Sequence, residues 1–260
     1  MSGSDLGASL GLPALGTAFG LALARIGACV MLLPGLGETD LPATVRAGLA
    51  LGLTLLLGPV IAPLVPAPVP ESGLVQAGMV MSEIVTGLWL GTLARLIVQA
   101  LPVAGQIVSY LLGLSNVLQP DPAIGAQATA LGRLLGLLVP VLVLTSGLYR
   151  LPLLALAGSY RLIAPGALLP PADASASVVA AVGGAFALAL RLAAPFVLAS
   201  VVWQVALALT ARLIPRLQAH ALAMPGQILG GLALFALLVG AMLGVWQEAV
   251  RVVLTDLGGL

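Results

Sequence analysis

Residues Gly105 to Gly125 read GQIVSYLLGLSNVLQPDPAIG and divide two long apolar blocks of the chain. Proline stops a helix because it lacks the backbone N–H and clashes with the preceding turn, so Pro120 and Pro122 argue against a continuous membrane helix here. Non-helical backbone at membrane depth must find hydrogen-bond partners in protein or water. The stretch therefore indicates either a segment that lines a cavity or pore, or an ordinary loop between two spans.

The composition of the chain assigns it to integral membrane proteins. Of its 260 residues, 60% are hydrophobic and 7% are charged, and the mean hydropathy is +1.17. A water-soluble domain of this composition would expose large apolar patches. We expect an all-α membrane protein that forms one domain over residues 1–260.

The apolar blocks predict about six long helices with shorter broken pieces between them. Proline-rich and glycine-rich connectors separate the blocks. A short partial helix and a turn are expected where the chain reads LPLLALAGSYRLIAPGALLPPA. The predicted spans lie near residues 13–33, 47–61, 74–101, 128–149, 178–209 and 224–245.

Several charges fall inside these apolar spans: Arg25, Glu83, Arg95, Arg133 and Arg191. A charge near the centre of a membrane helix costs about 2.5–3.5 kcal/mol on insertion scales, so each should face protein or water. Glu83 and Arg95 lie about 18 Å and about 120° apart on one helix, so each needs a partner from elsewhere. These charges indicate either a polar pathway through the bundle or helices that pack in an assembly outside the bilayer.

Small residues four apart indicate close helix packing, because they lie on one face and let backbones approach. Gly87 and Gly91 are such a pair in the third span.

The residue inventory argues against most enzymatic and nucleic-acid functions. The segment Gly7 to Gly11 matches the G-x-S-x-G nucleophile pattern around Ser9, but His220 is the single histidine of the chain and no strand-to-helix elbow is predicted. No H-E-x-x-H, C-x-x-C or Walker sequence is present. The net charge is +1, and no basic tract for nucleic acid exists. We expect neither enzyme activity nor a cofactor.

A series of motifs along nearly the whole chain resembles the FliR family, which comprises the flagellar protein FliR and its injectisome counterpart. The motifs are Arg25, LLPGLGETDLPATVR (Leu32 to Arg46), Glu83 with Gly87 and Gly91, Ala104-Gly105, Gly113, Asp121-Pro122, SYRLIAPG (Ser159 to Gly166), Arg212, Pro215 and Pro225. One departure follows: the family tends to carry Pro-Gln-x-Asn and then a lysine, whereas this chain has Pro215, Arg216, Gln218 and Gln227.

The resemblance implies a subunit of the type III protein export gate at the bacterial inner membrane, with a FliP-FliQ-fusion-like arrangement of helices. The implied partners are FliP-like and FliQ-like subunits, an FlhB-like switch protein, membrane lipid and unfolded export substrates. A flagellar machine is favoured over an injectisome. The alternative from another class is a small-molecule secondary transporter, which would use broken helices at a midplane site.

The resemblance also assigns candidate roles to residues of this chain. The segment similar to the family's pore plug contains Gly105, Gly113, Leu114, Ser115, Asn116, Gln119, Asp121 and Pro122. Candidate buried polar or assembly residues are Arg25, Arg46, Glu83, Arg95, Arg212, Pro215 and Pro225, and candidate helix-packing residues are Gly87 and Gly91.

Overall fold

The computed structural model describes residues 12–38, 40–65, 70, 72–114, 129–213 and 219–258. Within these ranges the regular structure is helical and contains no strand. A 3-10 turn, Ala62–Leu64, follows the second helix. The α-helices are α1 (Leu12–Val30), α2 (Ala43–Ile61), α3 (Gly73–Val98), α4 (Ala100–Leu111), α5 (Ala130–Thr145), α6 (Arg150–Leu162), α7 (Pro171–Leu213) and α8 (Ala219–Gly258).

The described helices are long and apolar enough for a multi-pass membrane protein, which confirms the predicted fold class. Four helical stretches have the length and composition to cross a bilayer: Ala43–Leu64, Gly73–Leu111, Pro171–Leu213 and Ala223–Leu257. A fifth span is possible if α5 and α6, bent by 68° at their junction, count as one. All six predicted blocks are helical over most of their length, although in α1 the apolar helix counted toward a span runs only from Leu15 to Val30.

The helix boundaries differ from the predicted ones at the polar stretch. The third span was predicted to end near residue 101, whereas α4 continues through Gly105 to Leu111 and the chain leaves the helix at Leu112. Pro120 and Pro122, from which the break was argued, lie outside the described residues. Ser109 of this helix is fully buried and accepts a hydrogen bond from the backbone N–H of Leu131, and the helix stays regular there. A few polar groups in an apolar helix therefore do not end it.

Proline is also tolerated inside several helices. Pro59, Pro140, Pro195 and Pro225 lie within α2, α5, α7 and α8. The predicted partial helix and turn after residue 149 correspond to α6 and the irregular residues 163–170.

The chain divides into two compact units. Unit 1 contains Met1–Leu96, Leu142–Ala181 and Arg251–Leu260. Its buried residues include Leu21, Ile26, Leu33 and Leu156, together with the charged Arg25 and Glu83. The charged pair lies among these apolar side chains.

Unit 2 contains Ile97–Val141 and Val182–Val250. Phe196 of α7 and Phe235 of α8 pack with ring centroids 6.2 Å apart. The indole N–H of the fully buried Trp246 donates to the carbonyl oxygen of Val98 at 3.3 Å. These contacts hold α7 and α8 together within unit 2 and connect α8 to the last residue of α3.

Candidate functional site

The most buried polar feature in the described residues is an ion pair between Arg25 of α1 and Glu83 of α3. The Nε and Nη2 atoms of Arg25 each donate to one carboxylate oxygen of Glu83 at 2.8 Å. Neither side chain exposes any surface. This bidentate geometry matches the planar guanidinium to the carboxylate. The pair joins α1 to α3 through two residues that are 58 positions apart in the sequence.

The last turn of α6 and the chain just after it supply the remaining hydrogen bonds of this pair. Arg25 Nη1 donates to Ser159 Oγ at 3.2 Å, and Nη2 donates to the Ile163 carbonyl at 3.0 Å. The Gly166 N–H donates to Glu83 Oε1 at 2.8 Å. Because buried charges destabilise a fold unless they are paired and hydrogen-bonded, these contacts make the ion pair tolerable in an apolar interior.

An aromatic ring covers the guanidinium of Arg25. The centroid of the Tyr160 ring lies 4.1 Å from Arg25 Cζ. The Tyr160 hydroxyl donates to the carbonyl oxygen of Ala22, one turn before Arg25, at 3.4 Å. A cation stacked on an aromatic face is attracted to it, and the attraction grows when both are desolvated. Tyr160 therefore fixes the position of Arg25 relative to α6.

Gly87 and Gly91 allow α1 to approach α3 closely. A side chain at Gly87 would collide with the carbonyl oxygen of Arg25. A Cβ at Gly91 would lie 2.8 Å from the Leu32 Cβ and 2.9 Å from the Cys29 carbonyl oxygen. Gly87 follows Glu83 by one helical turn. Because Gly87 has no side chain, the backbone of α1 at Arg25 lies close enough to α3 for the guanidinium to reach the Glu83 carboxylate.

A second ion pair joins Arg95 of α3 to Glu38 in the turn after α1. Arg95 Nη2 and Glu38 Oε2 are 3.3 Å apart, and the two side chains are 30% and 24% exposed. The other carboxylate oxygen of Glu38 accepts a hydrogen bond from the Gly35 N–H at 3.2 Å. Since both charges remain partly hydrated, this pair contributes less to stability than the buried one.

The base of the polar stretch is held between α4 and α5 of unit 2. A Cβ at Gly105 would lie 2.8 Å from the Leu131 carbonyl oxygen and 3.0 Å from the Gly132 Cα. The chain turns out of α4 at Gly113, whose φ of +72° is the left-handed conformation that favours glycine, and Leu114 is buried. The two helices thus clamp the point at which the stretch begins.

Gln227 of α8 completes the end of α4. Its Nε2 donates to the carbonyl oxygen of Leu111, the last residue of that helix, at 2.9 Å. The final carbonyls of a helix have no partner within it, so the side chain acts as a cap. This is the position at which the FliR-like pattern has a lysine, and the departure therefore keeps a hydrogen-bond donor there.

The other predicted site residues lie apart from these clusters. Arg46 is half-buried at the start of α2, and its Nε has no hydrogen-bond partner among the described residues. Arg212 is exposed in the last turn of α7, and Pro225 is exposed in α8. Pro215, Ser115, Asn116, Gln119, Asp121 and Pro122 lie outside the described residues.

The structure thus brings Arg25, Glu83, Gly87 and Gly91 together within unit 1. The sequence pattern did not single out Glu38 as the partner of Arg95, nor the roles of Tyr160 and Gln227. Glu38 and Tyr160 fall inside motifs that carried the family resemblance, and their place in those motifs was the signal that could have identified them. In the ranges the structure describes, no group of three or more His, Cys, Asp or Glu side chains could hold a metal ion.

Comparison with known proteins finds similarity along most of the chain. The sequence model of the family described as "Bacterial export proteins, family 1" matches residues 17–252. The chain is 33% identical over 231 residues to the flagellar biosynthetic protein FliR of Caulobacter vibrioides (strain ATCC 19089 / CIP 103742 / CB 15), covering 89% of this chain and 92% of that relative.

Two further relatives carry the same name. The flagellar biosynthetic protein FliR of Escherichia coli (strain K12) is 27% identical over 220 residues, covering 84% of this chain and 82% of the relative. That of Bacillus subtilis (strain 168) is 25% identical over 214 residues, covering 81% and 82%. Residues 17–252, which the family model matches, include both ion pairs and the polar stretch.

Proposed function

Because this chain belongs to the bacterial export proteins, family 1, we propose that it is a non-enzymatic subunit of the type III protein export gate that works in flagellar biosynthesis. The family membership confirms the FliR resemblance read from the sequence. The observation that carries the proposal is the 33% identity over almost the full length of a protein named for flagellar biosynthesis.

We infer that the subunit resides in the bacterial inner membrane and assembles there with FliP-like and FliQ-like subunits and an FlhB-like switch protein. Its helices support an assembly: only 11% of the most apolar window of Ala223–Leu257 is buried within this chain, and 28% of that of Pro171–Leu213. At about 1.5 Å per residue, the 43 residues of α7 extend about 64 Å, roughly twice the hydrocarbon thickness. Lipid alone cannot cover such a length of apolar helix.

In this proposal the whole chain, 1–260, acts as one export domain. The Arg25–Glu83 cluster holds α1, α3 and the end of α6 together. The polar stretch from Gly105 to Pro122 closes the lumen when no substrate is present and moves aside for an unfolded export chain. The clamped base between α4 and α5 supports this role, because a plug needs a fixed attachment. Gly113 supplies the hinge.

Co-purification tests the proposal against the transporter alternative. The affinity-tagged chain, produced from its own operon and extracted in mild detergent, should bring down two other small membrane proteins, identified by mass spectrometry. Deletion of the gene should abolish motility and the export of flagellar subunits. A chain that purifies alone or as a homo-oligomer, with motility intact in the deletion strain, would contradict the export-gate role.

A further inference from the structure

The chain between α6 and α7 contains a tight turn whose shape is set by its own sequence. Residues Ala164 to Ala167 read APGA, and the Ala167 N–H donates to the Ala164 carbonyl oxygen at 3.0 Å. Pro165 occupies the first central position, and Gly166 occupies the second with a φ of +79°. These are the features of a type II turn, which favours proline and then glycine at these two positions. We call residues 164–167 the Pro165 turn.

Two consecutive residues of α3 hold the Pro165 turn through its backbone. The Gly166 N–H donates to Glu83 Oε1 at 2.8 Å, and the Ser82 hydroxyl donates to the Ala167 carbonyl oxygen. Glu83 Oε1 also accepts from Nη2 of Arg25. One carboxylate oxygen therefore serves both the ion pair and the turn.

The Pro165 turn buries little apolar surface of its own. Of its four residues Pro165 alone is buried, whereas Ala164 and Ala167 are exposed, and Leu168, which follows the turn, is 84% exposed. Segments with few buried apolar contacts open locally at a small fraction of the free energy of global unfolding. The hydrogen bonds to α3 are therefore the main contacts that keep this turn in place.

Undocking of the turn would change the surroundings of the buried ion pair. Arg25 would lose the carbonyl oxygen of Ile163, just before the turn, and Glu83 would lose the N–H of Gly166. Buried charges that lack hydrogen bonds are destabilised, and water that reaches them weakens the attraction between them. The contact between α1 and α3 would then lose its strongest interaction.

We propose that the Pro165 turn is a latch for α1. Docked on Ser82 and Glu83, it keeps water away from the Arg25–Glu83 pair and so holds α1 against α3. When it undocks, the pair becomes hydrated and α1 parts from α3, while unit 2 stays folded. The inference does not rest on the proposed function, because it concerns contacts within unit 1 and is tested on the purified chain.

The single cysteine of the chain reports on this motion. Cys29 follows Arg25 by one turn of α1 and is 1% exposed. Its backbone lies against α3, since a Cβ at Gly91 would be 2.9 Å from the Cys29 carbonyl oxygen. The rate at which N-ethylmaleimide labels the full-length chain in mild detergent, followed by mass spectrometry, therefore measures how often α1 parts from α3.

Loss of the Ser82 hydroxyl should open the latch. We expect Ser82→Ala to accelerate the labelling of Cys29 by about tenfold or more, because a hydrogen bond that holds the turn is lost. The matched control is Thr86→Ala, which removes a buried hydroxyl one turn further along α3 that donates to the Ser82 carbonyl oxygen at 2.9 Å. The control should change the rate by less than about threefold. Equal labelling rates in the two variants would overturn the inference.

A second pair of variants opens the latch from the side of the turn. A side chain at Gly166 would collide with Met79 of α3, so Gly166→Ala should lift the turn and raise the labelling rate by about tenfold or more. Gly147 has a similar φ of +74° but no atom within 4 Å of an added Cβ. Gly147→Ala thus carries the same backbone strain and should stay within about threefold of wild type. An equal acceleration by both alanines, or by neither, would contradict the latch.

A thiol in unit 2 separates latch opening from unfolding of the whole chain. Ala193 of α7 is fully buried in unit 2. In a chain with Cys29→Ser and Ala193→Cys, the further change Ser82→Ala should leave the labelling rate within about threefold, because unit 2 stays folded. An acceleration of about tenfold at position 193 would show that the variant unfolds globally and would overturn the inference.

Discussion

Arg25 and Glu83 form a bidentate ion pair with both hydrogen bonds at 2.8 Å and no exposed surface on either side chain. The pair connects α1 to α3, and further hydrogen bonds come from Ser159 in the last turn of α6 and from Ile163 and Gly166 just after it. One polar cluster thus holds three separate parts of unit 1. Its stability should govern whether this unit folds and assembles.

Removing one partner of the buried pair should be strongly destabilising. We expect Glu83→Gln to cost about 3–5 kcal/mol, because it leaves the Arg25 charge buried without a counter-charge. Thermal unfolding of the purified protein in detergent measures the loss. The matched control is Glu38→Gln in the partly exposed pair with Arg95, for which we expect about 0–1 kcal/mol. Comparable losses in the two variants would contradict the central role of the buried pair.

Gly87 should not accept any side chain. Gly87→Ala places its Cβ against the carbonyl oxygen of Arg25, and both partners are helix backbone that cannot move independently. We expect the free energy of unfolding to fall by about 1–3 kcal/mol, with a lower unfolding temperature in detergent. Gly78→Ala, in the same helix but with no atom within 4 Å of its Cβ, serves as the control. That variant should be neutral or slightly stabilising, since alanine favours helix over glycine.

Gln227 should stabilise the end of α4 through its bond to the Leu111 carbonyl. Gln227→Leu removes the donor, and we expect a local loss of about 1 kcal/mol. Hydrogen exchange of the amides in the last turn of α4 should become about fivefold faster as a result. Gln227→Lys keeps a donor at this position and should retain most of the protection. Unchanged exchange in the leucine variant would show that the cap contributes nothing.

Deleting Gly113 to Gln119 should open the gate without preventing assembly. The deletion removes Gly113 and Leu114 but leaves α4 through Leu111 and its contact with α5 at Gly105 intact, so the subunit should still recover its partners. We expect the membrane to become permeable to ions, measured as loss of membrane potential in cells that produce the whole complex. Cells that produce the deleted chain without partner subunits should remain tight. A tight membrane with unchanged protein export in the complete complex would count against a plug.

Much of the fold could be predicted from local sequence. The apolar blocks gave helices at the expected positions, and the charges in them correctly indicated that Glu83 and Arg95 need separate partners. The end of α4 could not be predicted in the same way, because the partner of the buried Ser109, the backbone N–H of Leu131, lies 22 residues further along the chain. Helical spacing could not pair Arg95 with Glu38 either, because the two residues are 57 positions apart and lie in different elements.

The sequence by itself determined that this chain is helical, membrane-embedded and poor in catalytic residues, because composition and periodicity are local properties of the chain. It also identified Gly87 and Gly91 as packing positions from their spacing of four. Only the tertiary structure decided that Arg25 meets Glu83, that Tyr160 covers the guanidinium and that Gln227 caps α4. Those contacts join residues distant in sequence, and their free energy depends on burial and geometry that exist only once the helices have packed.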